Sequence, residues 1–318
     1  MVQPKILIVG ANGQLGVVLT RALRERYGND QVIATDIREP LQCSGNFEKL
    51  DARNYEQLSD LVGDYGITEI YHLAAILSAT GEKNPIGSWE LNMQMLLNVL
   101  DVSRLHRVKK VFYPSSIAVF GDGVNRLNCQ QDSVLKPTTV YGISKAAGEN
   151  WAQYYFNKYG LDVRSLRYPG VIGHQSMPGG GTTDYAVDIF HKAVTEEPFT
   201  CFLNESTQLP MIYMEDAINA TIQLMEAPRG DISVRTSYNL AGMTFSPAEI
   251  AAEIKKHYPG FDITYAPDFR QEIAASWPEV INDDAARKDW GWQPAFNISS
   301  MTADMISHIK EKQLITVE

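Results

Sequence analysis

The most restrictive feature of the sequence is a glycine-rich turn between an apolar run and a helical pattern. Residues 5–9 are typical of a buried strand, and three glycines spaced three apart follow them, Gly10, Gly13 and Gly16. From Leu15 onward, apolar residues recur at the spacing of an amphipathic helix. A strand that turns tightly into a helix begins a βαβ unit, so the chain is predicted to fold as an α/β protein.

The first half of the chain repeats this alternation. Strand-like runs lie at residues 5–9, 32–35, 47–50, 70–73, 111–113 and 163–166, and helical patterns lie at 55–64, 88–105 and 141–159. Strands that alternate with helices are joined by right-handed crossovers into a parallel sheet with helices on both faces. The sequence therefore predicts a Rossmann-type, doubly wound parallel sheet.

After about residue 169, loops rich in Gly, Pro and Thr separate shorter elements. Helices are predicted at residues 216–225 and 246–258, the second opened by Ser246 as N-cap and Glu249 as its capping-box partner. No flexible linker divides the chain. We expect a Rossmann domain over residues 1–169 and a smaller C-terminal lobe over residues 170–318, some of whose segments return to the first domain.

The glycine turn suits a dinucleotide. The first glycine permits the tight turn, the second lets backbone approach a pyrophosphate, and the third permits close helix–strand contact. The spacing is GxxGxxG, whereas the commonest fingerprint is GxGxxG. Asp36 ends the second predicted strand 20 residues after Gly16, where a carboxylate binds ribose hydroxyls and repels a 2′-phosphate. The pattern favours NAD over NADP, although Arg38 nearby weakens that preference.

A second group of residues, a tyrosine, a lysine and two serines, indicates catalysis. Tyr141 and Lys145 lie four residues apart at the start of a predicted helix, hence on one face. Tyrosine has an ordinary pKa of about 10, and a neighbouring ammonium group favours the phenolate. Ser115 and Ser116 end the fifth predicted strand, at the edge where open α/β sheets bind ligands. The sequence therefore predicts a tyrosine base whose pKa is lowered by the lysine.

These motifs resemble those of the extended short-chain dehydrogenase/reductase family over nearly the whole chain. The resemblance implies that Ser116 and Tyr141 are catalytic, that Lys145 lowers the tyrosine pKa and holds the nicotinamide ribose, and that residues 1–169 bind NAD. The residues that the resemblance and the glycine turn place at the cofactor are Gly10, Asn12, Gly13, Gln14, Leu15, Gly16, Asp36, Arg38, Asp51, Ala52, Leu73, Ala74, Ala75, Asn92, Tyr141, Lys145, Tyr168 and Pro169.

Within the family, residues 115–121, 167–170 and 179–186 resemble the branch that oxidises L-threonine. The resemblance implies NAD-dependent oxidation of the β-hydroxyl to 2-amino-3-ketobutyrate, with Tyr141 as the base. A loop with two threonines can offer hydroxyl and N–H groups to a carboxylate, or it can be a plain turn. Trp277 is either a substrate contact or a core aromatic. The expected substrate contacts are Ser78, Ser115, Ser116, Tyr141, Thr182, Thr183 and Trp277.

Two other functions remain open at this stage. A nucleotide-sugar epimerase or dehydratase on the same scaffold would need basic residues in its second lobe to hold a diphosphate, and Arg229, Arg235 and Arg270 are available. A regulator that binds NAD without chemistry would have no need of a serine, a tyrosine and a lysine in this arrangement.

The composition of the chain disfavours several classes of partner and cofactor. The formal charge of −10 disfavours nucleic acid and anionic membrane surfaces as partners. The three cysteines form no CxxC pair and no HExxH motif is present, so neither a disulfide framework nor a metal site is expected. A strand that begins at residue 5 leaves no room for a signal peptide, so we expect a cytoplasmic protein. The many apolar positions in residues 88–105 and 141–159 indicate either doubly buried helices or a subunit interface. The resemblance to the extended short-chain family implies a homodimer formed through these two helices.

Overall fold

The computed structural model describes residues 3–40, 45–76, 81–179 and 181–317. The strands within these ranges are Ile6–Val9 (β1), Val32–Asp36 (β2), Phe47–Lys49 (β3), Glu69–His72 (β4), Lys110–Ser116 (β5), Asp162–Tyr168 (β6), Gly170–Ile172 (β7), Phe199–Cys201 (β8), Leu209–Tyr213 (β9), Tyr238–Asn239 (β10), Met243–Phe245 (β11) and Ile263–Tyr265 (β12). The α-helices there are Gln14–Tyr27 (α1), Tyr55–Asp64 (α2), Pro85–Leu105 (α3), Val140–Tyr159 (α4), Tyr185–Val194 (α5), Met214–Glu226 (α6), Pro247–Lys255 (α7), Arg270–Ala275 (α8), Asp284–Trp290 (α9) and Ile298–Val317 (α10).

Seven strands form the central sheet in the order β10-β6-β5-β4-β1-β2-β3. Strand β1 pairs in parallel with both β2 and β4, so that Ile6 lies opposite Val32 on one side and Glu69 on the other. The strand order reverses at β1, and the carboxyl ends of β1 and β4 mark the position where doubly wound sheets bind ligands. The predicted Rossmann-type fold is confirmed.

The central strand β1 is apolar throughout because helices cover the sheet. All four residues of β1 are buried, as expected for a parallel strand with both faces covered. On one face, Leu7 and Val9 of β1 belong to a core cluster that includes Leu58 of α2, Leu96 of α3 and Ala152 of α4. This layer holds α3 and α4 against the sheet and so determines where α4 presents its first turn.

Local caps set the helix boundaries. Helix α3 begins at Pro85, three residues before the predicted start, because the Asn84 side chain accepts a hydrogen bond from the backbone N of Gly87. Thr139 caps α4 in the same way. The predicted capping box of Ser246 is confirmed: its side chain accepts from the backbone N of the glutamate three residues on.

The residues group into two units. One comprises Met1–Ser116, Thr139–Arg167 and Ala220–Tyr238; the other comprises Ile117–Thr138, Tyr168–Asn219 and Asn239–Glu318. The assignment of cofactor binding to residues 1–169 and of substrate binding to residues 170–318 concerns ligands and stays a prediction. Among the described helices, none is both long and apolar enough to cross a bilayer.

Two glycines of the first turn are required by close backbone approaches. Gly10 has a φ of +90°, and a Cβ there would lie 2.6 Å from the backbone N of Ala74. A Cβ on Gly16 would lie 2.3 Å from the carbonyl oxygen of Gly10. Helix α1 can therefore start this close to β1 only because neither position carries a side chain.

Replacing Gly16 by alanine should lower the free energy of unfolding by about 2 kcal/mol or more, because the added methyl group meets backbone that must shift. Urea denaturation measures the change. Gly230→Ala is the control, since a Cβ there meets nothing within 4 Å, and its stability should be unchanged or slightly higher. Equal stabilities for the two variants would show that the glycine turn is not tightly packed.

Candidate active site

The N-terminus of α1 is built to receive an anion. Gly13 is its N-cap, no side chain caps the helix, and no acidic residue lies in its first turn. A Cβ on Gly13 would meet only the carbonyl oxygen of Gly10, at 3.4 Å. Because an α-helix leaves its first N–H groups without intrahelical acceptors, this uncapped turn fits a pyrophosphate. The residues present therefore fit a dinucleotide.

Asp36 lies beside this turn at the end of β2. Its Oδ2 accepts a hydrogen bond from the backbone N of Asn12 at 3.0 Å, and its Oδ1 accepts from the backbone N of Arg38 at 3.3 Å. Asn12 in turn donates from Nδ2 to the carbonyl oxygen of Arg38 at 2.7 Å. These bonds hold the carboxylate in place, while the Arg38 side chain is exposed.

A cleft of about 370 Å³ opens beyond the ends of β2 and β3, lined by Ile37, Lys49, Asp51, Arg53 and Gln57. Arg53 donates from Nε to Asp51 Oδ1 at 2.9 Å and holds the pKa of that carboxyl group below its usual value. An ionised carboxylate accepts N–H groups such as an exocyclic amine. The cleft therefore suits the adenine side of a dinucleotide.

The segment that follows β4 is held by hydrogen bonds to β1 and to α3. Leu73 and Ala74 donate backbone hydrogen bonds to the carbonyl oxygen of Val9 at 2.8 and 3.0 Å. Asn92 of α3 accepts from the backbone N of Ile76 at 2.8 Å and donates to its carbonyl oxygen at 3.1 Å. Residues 73–76 are thus fixed beside the glycine turn. Ser78 lies outside the described residues.

The three predicted catalytic side chains come together within the first unit. The hydroxyl of Tyr141 shares a hydrogen bond with Ser116 at the end of β5. Lys145 is 3% exposed, and its Nζ donates to the carbonyl oxygen of Pro114 at 2.7 Å. The same Nζ lies 5.5 Å from the centre of the Tyr141 ring. A hydroxyl, a phenol and an amine therefore meet at the carboxyl edge of the sheet.

Burial dominates the electrostatics of this group. It raises the pKa of Tyr141 to about 12, although the hydrogen bond from Ser116 works in the opposite direction. Burial also lowers the pKa of Lys145 to about 7. The predicted direction, a tyrosine pKa lowered by the lysine, is wrong for the net shift because spacing along a helix carries no information on burial. Burial therefore favours the neutral phenol of Tyr141 and makes Lys145 lose its proton more readily than an ordinary lysine.

Ser115 has a partner that the sequence argument missed. Its Oγ donates to Oε1 of Glu149 at 2.6 Å, and Arg167 donates from Nε to the same oxygen at 3.0 Å. All three side chains are buried. The Ser115 hydroxyl is thus committed to a carboxylate, which argues against the expected substrate contact. One signal was available, since Glu149 continues the four-residue spacing of Tyr141 and Lys145.

The glycine-rich loop of the second unit is braced internally. Oδ2 of Asp184 accepts hydrogen bonds from the backbone N of Gly179 at 2.6 Å and of Gly181 at 2.8 Å. A Cβ on Gly170 would lie 2.7 Å from Cγ2 of Thr183, so a glycine is needed where β7 passes this threonine. The loop is therefore a fixed turn that presents defined side chains ahead of α5.

Four further predicted residues lie in this second unit, whereas Gln14, Leu15 and Ala52 lie in the first. Thr182, Tyr168 and Trp277 are buried, and Pro169 lies between β6 and β7. Burial of Trp277 suits the core-aromatic alternative as well as a buried substrate contact. The cofactor and substrate roles of these residues stay predictions.

A cluster of metal-ligand residue types also lies in the second unit. Ligand atoms of His174, Asp304 and His308 lie within 4.8 Å of one another. The two imidazole rings stack with centroids 4.0 Å apart and planes 16° apart, whereas an ion bound by two imidazoles lies near the plane of each ring. Nδ1 of His308 lies 3.3 Å from Oδ2 of Asp304. We describe the cluster as a stacked pair with a carboxylate neighbour and assign no metal to it.

Fold and site together define a class of protein. A doubly wound sheet, an uncapped glycine turn and a Ser–Tyr–Lys group at the sheet edge are the parts of a nucleotide-dependent oxidoreductase of the extended short-chain type. The chain belongs to the NAD dependent epimerase/dehydratase family, which matches residues 6–241. The predicted family resemblance is confirmed.

Three relatives match this chain over nearly its whole length. The chain is 55% identical to the holo form of a GalE-like L-threonine dehydrogenase from Cupriavidus necator, with a TM-score of 0.95 over 96% of this chain and 100% of the other. A monomeric L-threonine 3-dehydrogenase from a metagenome is 48% identical, with a TM-score of 0.93 over 96% and 99%. An uncharacterized epimerase/dehydratase of Staphylococcus haemolyticus is 47% identical over 97% of this chain and 98% of its own.

The lowered pKa of Lys145 predicts a pH dependence of stability. The folded pKa of about 7 lies below the ordinary lysine pKa of 10.5, so the unfolded chain binds more protons between these values. Stability should therefore rise with pH in this window, by about 1 kcal/mol per pH unit for this group. Denaturation at several pH values between about 7 and 9.5 should show that slope in the wild type and a smaller one in Lys145→Met.

Lys255→Met provides the control, because Lys255 is an exposed lysine of α7. Its pH slope should match that of the wild type. A Lys145→Met variant with an unchanged slope would mean that the buried amine keeps its ordinary affinity for protons.

Proposed function

We propose that the protein is an NAD-dependent L-threonine 3-dehydrogenase that oxidises the β-hydroxyl of L-threonine to 2-amino-3-ketobutyrate. The observation that carries the proposal is the 55% identity to the Cupriavidus necator L-threonine dehydrogenase over 96% of this chain. The match spans 96% of this chain and 100% of the other, so it is not confined to the half that is predicted to bind the cofactor.

The cofactor would be held by groups already in place. Gly13 and the first turn of α1 would bind the pyrophosphate, Asp36 the ribose hydroxyls, and the cleft beside Asp51 the adenine. When bound, NAD supplies the hydride acceptor. Lys145 would hold the nicotinamide ribose as well as stabilise charge on Tyr141. Backbone N–H groups explain how a chain of charge −10 accommodates phosphates.

The proton chemistry belongs to Tyr141. As the phenolate it would accept the proton of the substrate hydroxyl while the β-carbon loses its hydride, and the C–O bond becomes a carbonyl. The Ser116 hydroxyl, which is hydrogen-bonded to Tyr141, would hydrogen-bond the same substrate oxygen. Because burial raises the pKa of Tyr141 to about 12, a protonated Lys145 within 5.5 Å of the ring provides charge that favours the phenolate.

The contacts of the three arginines weigh against a nucleotide-sugar enzyme. Arg235 pairs with Asp162, Nη1 to Oδ1 at 2.7 Å. Arg270 donates from Nε to Oδ1 of Asp268 at 3.0 Å. Arg229 donates to a backbone carbonyl at 3.1 Å. Each of the three guanidinium groups already has an acceptor within the protein, which disfavours their use as a diphosphate clamp.

An absorbance assay for NADH with L-threonine and NAD should detect turnover. Tyr141→Phe should lower kcat by about a thousandfold, because the base is removed. NAD affinity, measured by calorimetry, should remain within about threefold if the pyrophosphate and adenosine contacts supply most of the binding. Near-normal turnover in this variant would contradict the proposed base.

The alternatives give different results in the same experiments. Calorimetric binding of a UDP-sugar without any response to L-threonine would indicate an epimerase or dehydratase. NAD binding with no turnover of either substrate would indicate a regulator. L-threonine turnover by the wild type excludes both as the main function.

We further propose that α4 contributes to a homodimer interface. Trp151, Tyr154 and Tyr159 are 37%, 42% and 45% exposed and contact one another edge to face through Tyr154. Met93 and Tyr155, which the sequence argument counted toward such a surface, are buried in the core instead. A cluster of exposed aromatic side chains on one helix is typical of a protein contact surface.

Analytical ultracentrifugation should give twice the 35.5 kDa chain mass for the wild type. The double variant Trp151→Glu/Tyr154→Glu should sediment as a monomer, because the interface would bury two carboxylates without partners. Leu314→Glu, which alters an exposed residue of α10, should leave the mass unchanged. A wild type that sediments as a monomer at micromolar concentration would overturn the dimer; the metagenome relative is itself described as monomeric.

A further inference from the structure

The end of β5 and one face of α4 are joined by a ladder of three contacts. Three consecutive residues of the strand each bond to one of three helix residues that are spaced four apart. The pairs are Pro114 with Lys145 (carbonyl O to Nζ, 2.7 Å), Ser115 with Glu149 (Oγ to Oε1, 2.6 Å) and Ser116 with Tyr141. Two of the three contacts involve the catalytic group, and the third involves two residues without an assigned role.

Both serines reach the same helix because of where they lie in the strand. Consecutive side chains of a regular strand point to opposite faces. Strand β5 ends at Ser116, and a 3₁₀ turn, Ile117–Val119, follows it at once. The change of direction at this point brings both hydroxyls to α4. Ser116 is therefore the chain neighbour of a residue whose side chain is hydrogen-bonded to α4.

The anchor is a buried ion pair. Arg167 of β6 donates to both oxygens of Glu149, from Nε at 3.0 Å and from Nη2 at 2.8 Å. Neither side chain is appreciably exposed. A buried carboxylate is tolerated only with a charged partner and well-directed hydrogen bonds, and the two-point contact fixes its orientation. With Arg167 on one side and Ser115 on the other, Glu149 links α4, β5 and β6.

We propose that Glu149 is a positioning residue for the catalytic group. Held by Arg167, it fixes Ser115 and thereby sets the contact between the Ser116 hydroxyl and the Tyr141 phenol. Misplacement of a reacting group by about 1 Å costs up to about 100-fold in rate. The inference rests on the proposed function for its kinetic test, while the contact itself can be measured without substrate.

The chain provides a matched control at the other end of the same strand. Asp162 and Arg164 of β6 also form a buried ion pair, Oδ2 to Nη2 at 2.7 Å. Asp162→Asn and Glu149→Gln both replace a buried carboxylate by its amide beside an arginine. Both should therefore lower stability, but only Glu149 is linked to the catalytic serine.

The experiment compares Ser115→Ala, Glu149→Gln and Asp162→Asn in the full-length protein. With L-threonine and NAD, kcat should fall about 10- to 100-fold in Glu149→Gln and by a smaller factor in Ser115→Ala, and KM for threonine should change little. Asp162→Asn should keep kcat within about twofold of the wild type, because its ion pair lies away from the reacting groups. Urea denaturation reports the stability of each variant.

A second measurement needs no substrate. In protein labelled at tyrosine Cζ, the Tyr141 signal is identified by its loss in Tyr141→Phe. Its ¹³C shift at fixed pH should move in Ser115→Ala and in Glu149→Gln, since the shift reports hydrogen bonding of the phenol, and should stay in place in Asp162→Asn. If the wild type does not oxidise threonine but the signal moves as described, the proposed function fails and the positioning role stands.

The opposite results would overturn the proposal. These are a kcat for Ser115→Ala and Glu149→Gln equal to that of Asp162→Asn, together with an unmoved Tyr141 signal. Should Glu149→Gln fail to fold, Ser115→Ala decides, because it removes only one hydroxyl and leaves the ion pair intact.

Discussion

The close approach of α4 to β5 is the contact on which the site depends. A Cβ on Gly148 would lie 2.3 Å from the hydroxyl oxygen of Tyr113, so the helix can pack this tightly only with glycine at that position. The approach excludes water, and for that reason the amine of Lys145 bonds to a backbone carbonyl and its pKa falls to about 7. The same exclusion strengthens every charge interaction that develops during a reaction. The close packing of α4 against β5 therefore also sets the reactivity of the groups at its start.

In the second unit, the loop before α5 is fixed by local contacts. Its loop before α5 is held by two backbone hydrogen bonds to Asp184 and by the room that Gly170 leaves for Thr183. Neither feature involves a charged group directed at a ligand. A small zwitterion is recognised mostly by neutral donors and acceptors in fixed positions, whereas a diphosphate requires free cations. The arrangement is consistent with the proposed amino acid substrate.

Most of the fold was predictable because strand and helix periods alternate clearly along the first half of the chain. The spacing of Tyr141 and Lys145 was also enough to place both on one face of α4. How deeply that face is buried could not be predicted, since burial depends on how the layers pack. For this reason the predicted direction of the Tyr141 pKa was wrong. The pairing of Glu149 with Arg167 was beyond the sequence argument because the two residues lie on separate elements that only the sheet brings together.

The uncapped start of α1 has a consequence for the ligand-free protein. A Ser, Thr, Asp or Asn side chain at the N-cap position can accept a hydrogen bond from one of the first N–H groups of a helix, but Gly13 provides none. A phosphate bound there would act as the missing cap, completing the hydrogen bonding of the first turn as it binds. Ligand recognition and completion of the helix cap would then be a single event, and a dinucleotide bound there would become a structural component of the helix that holds it.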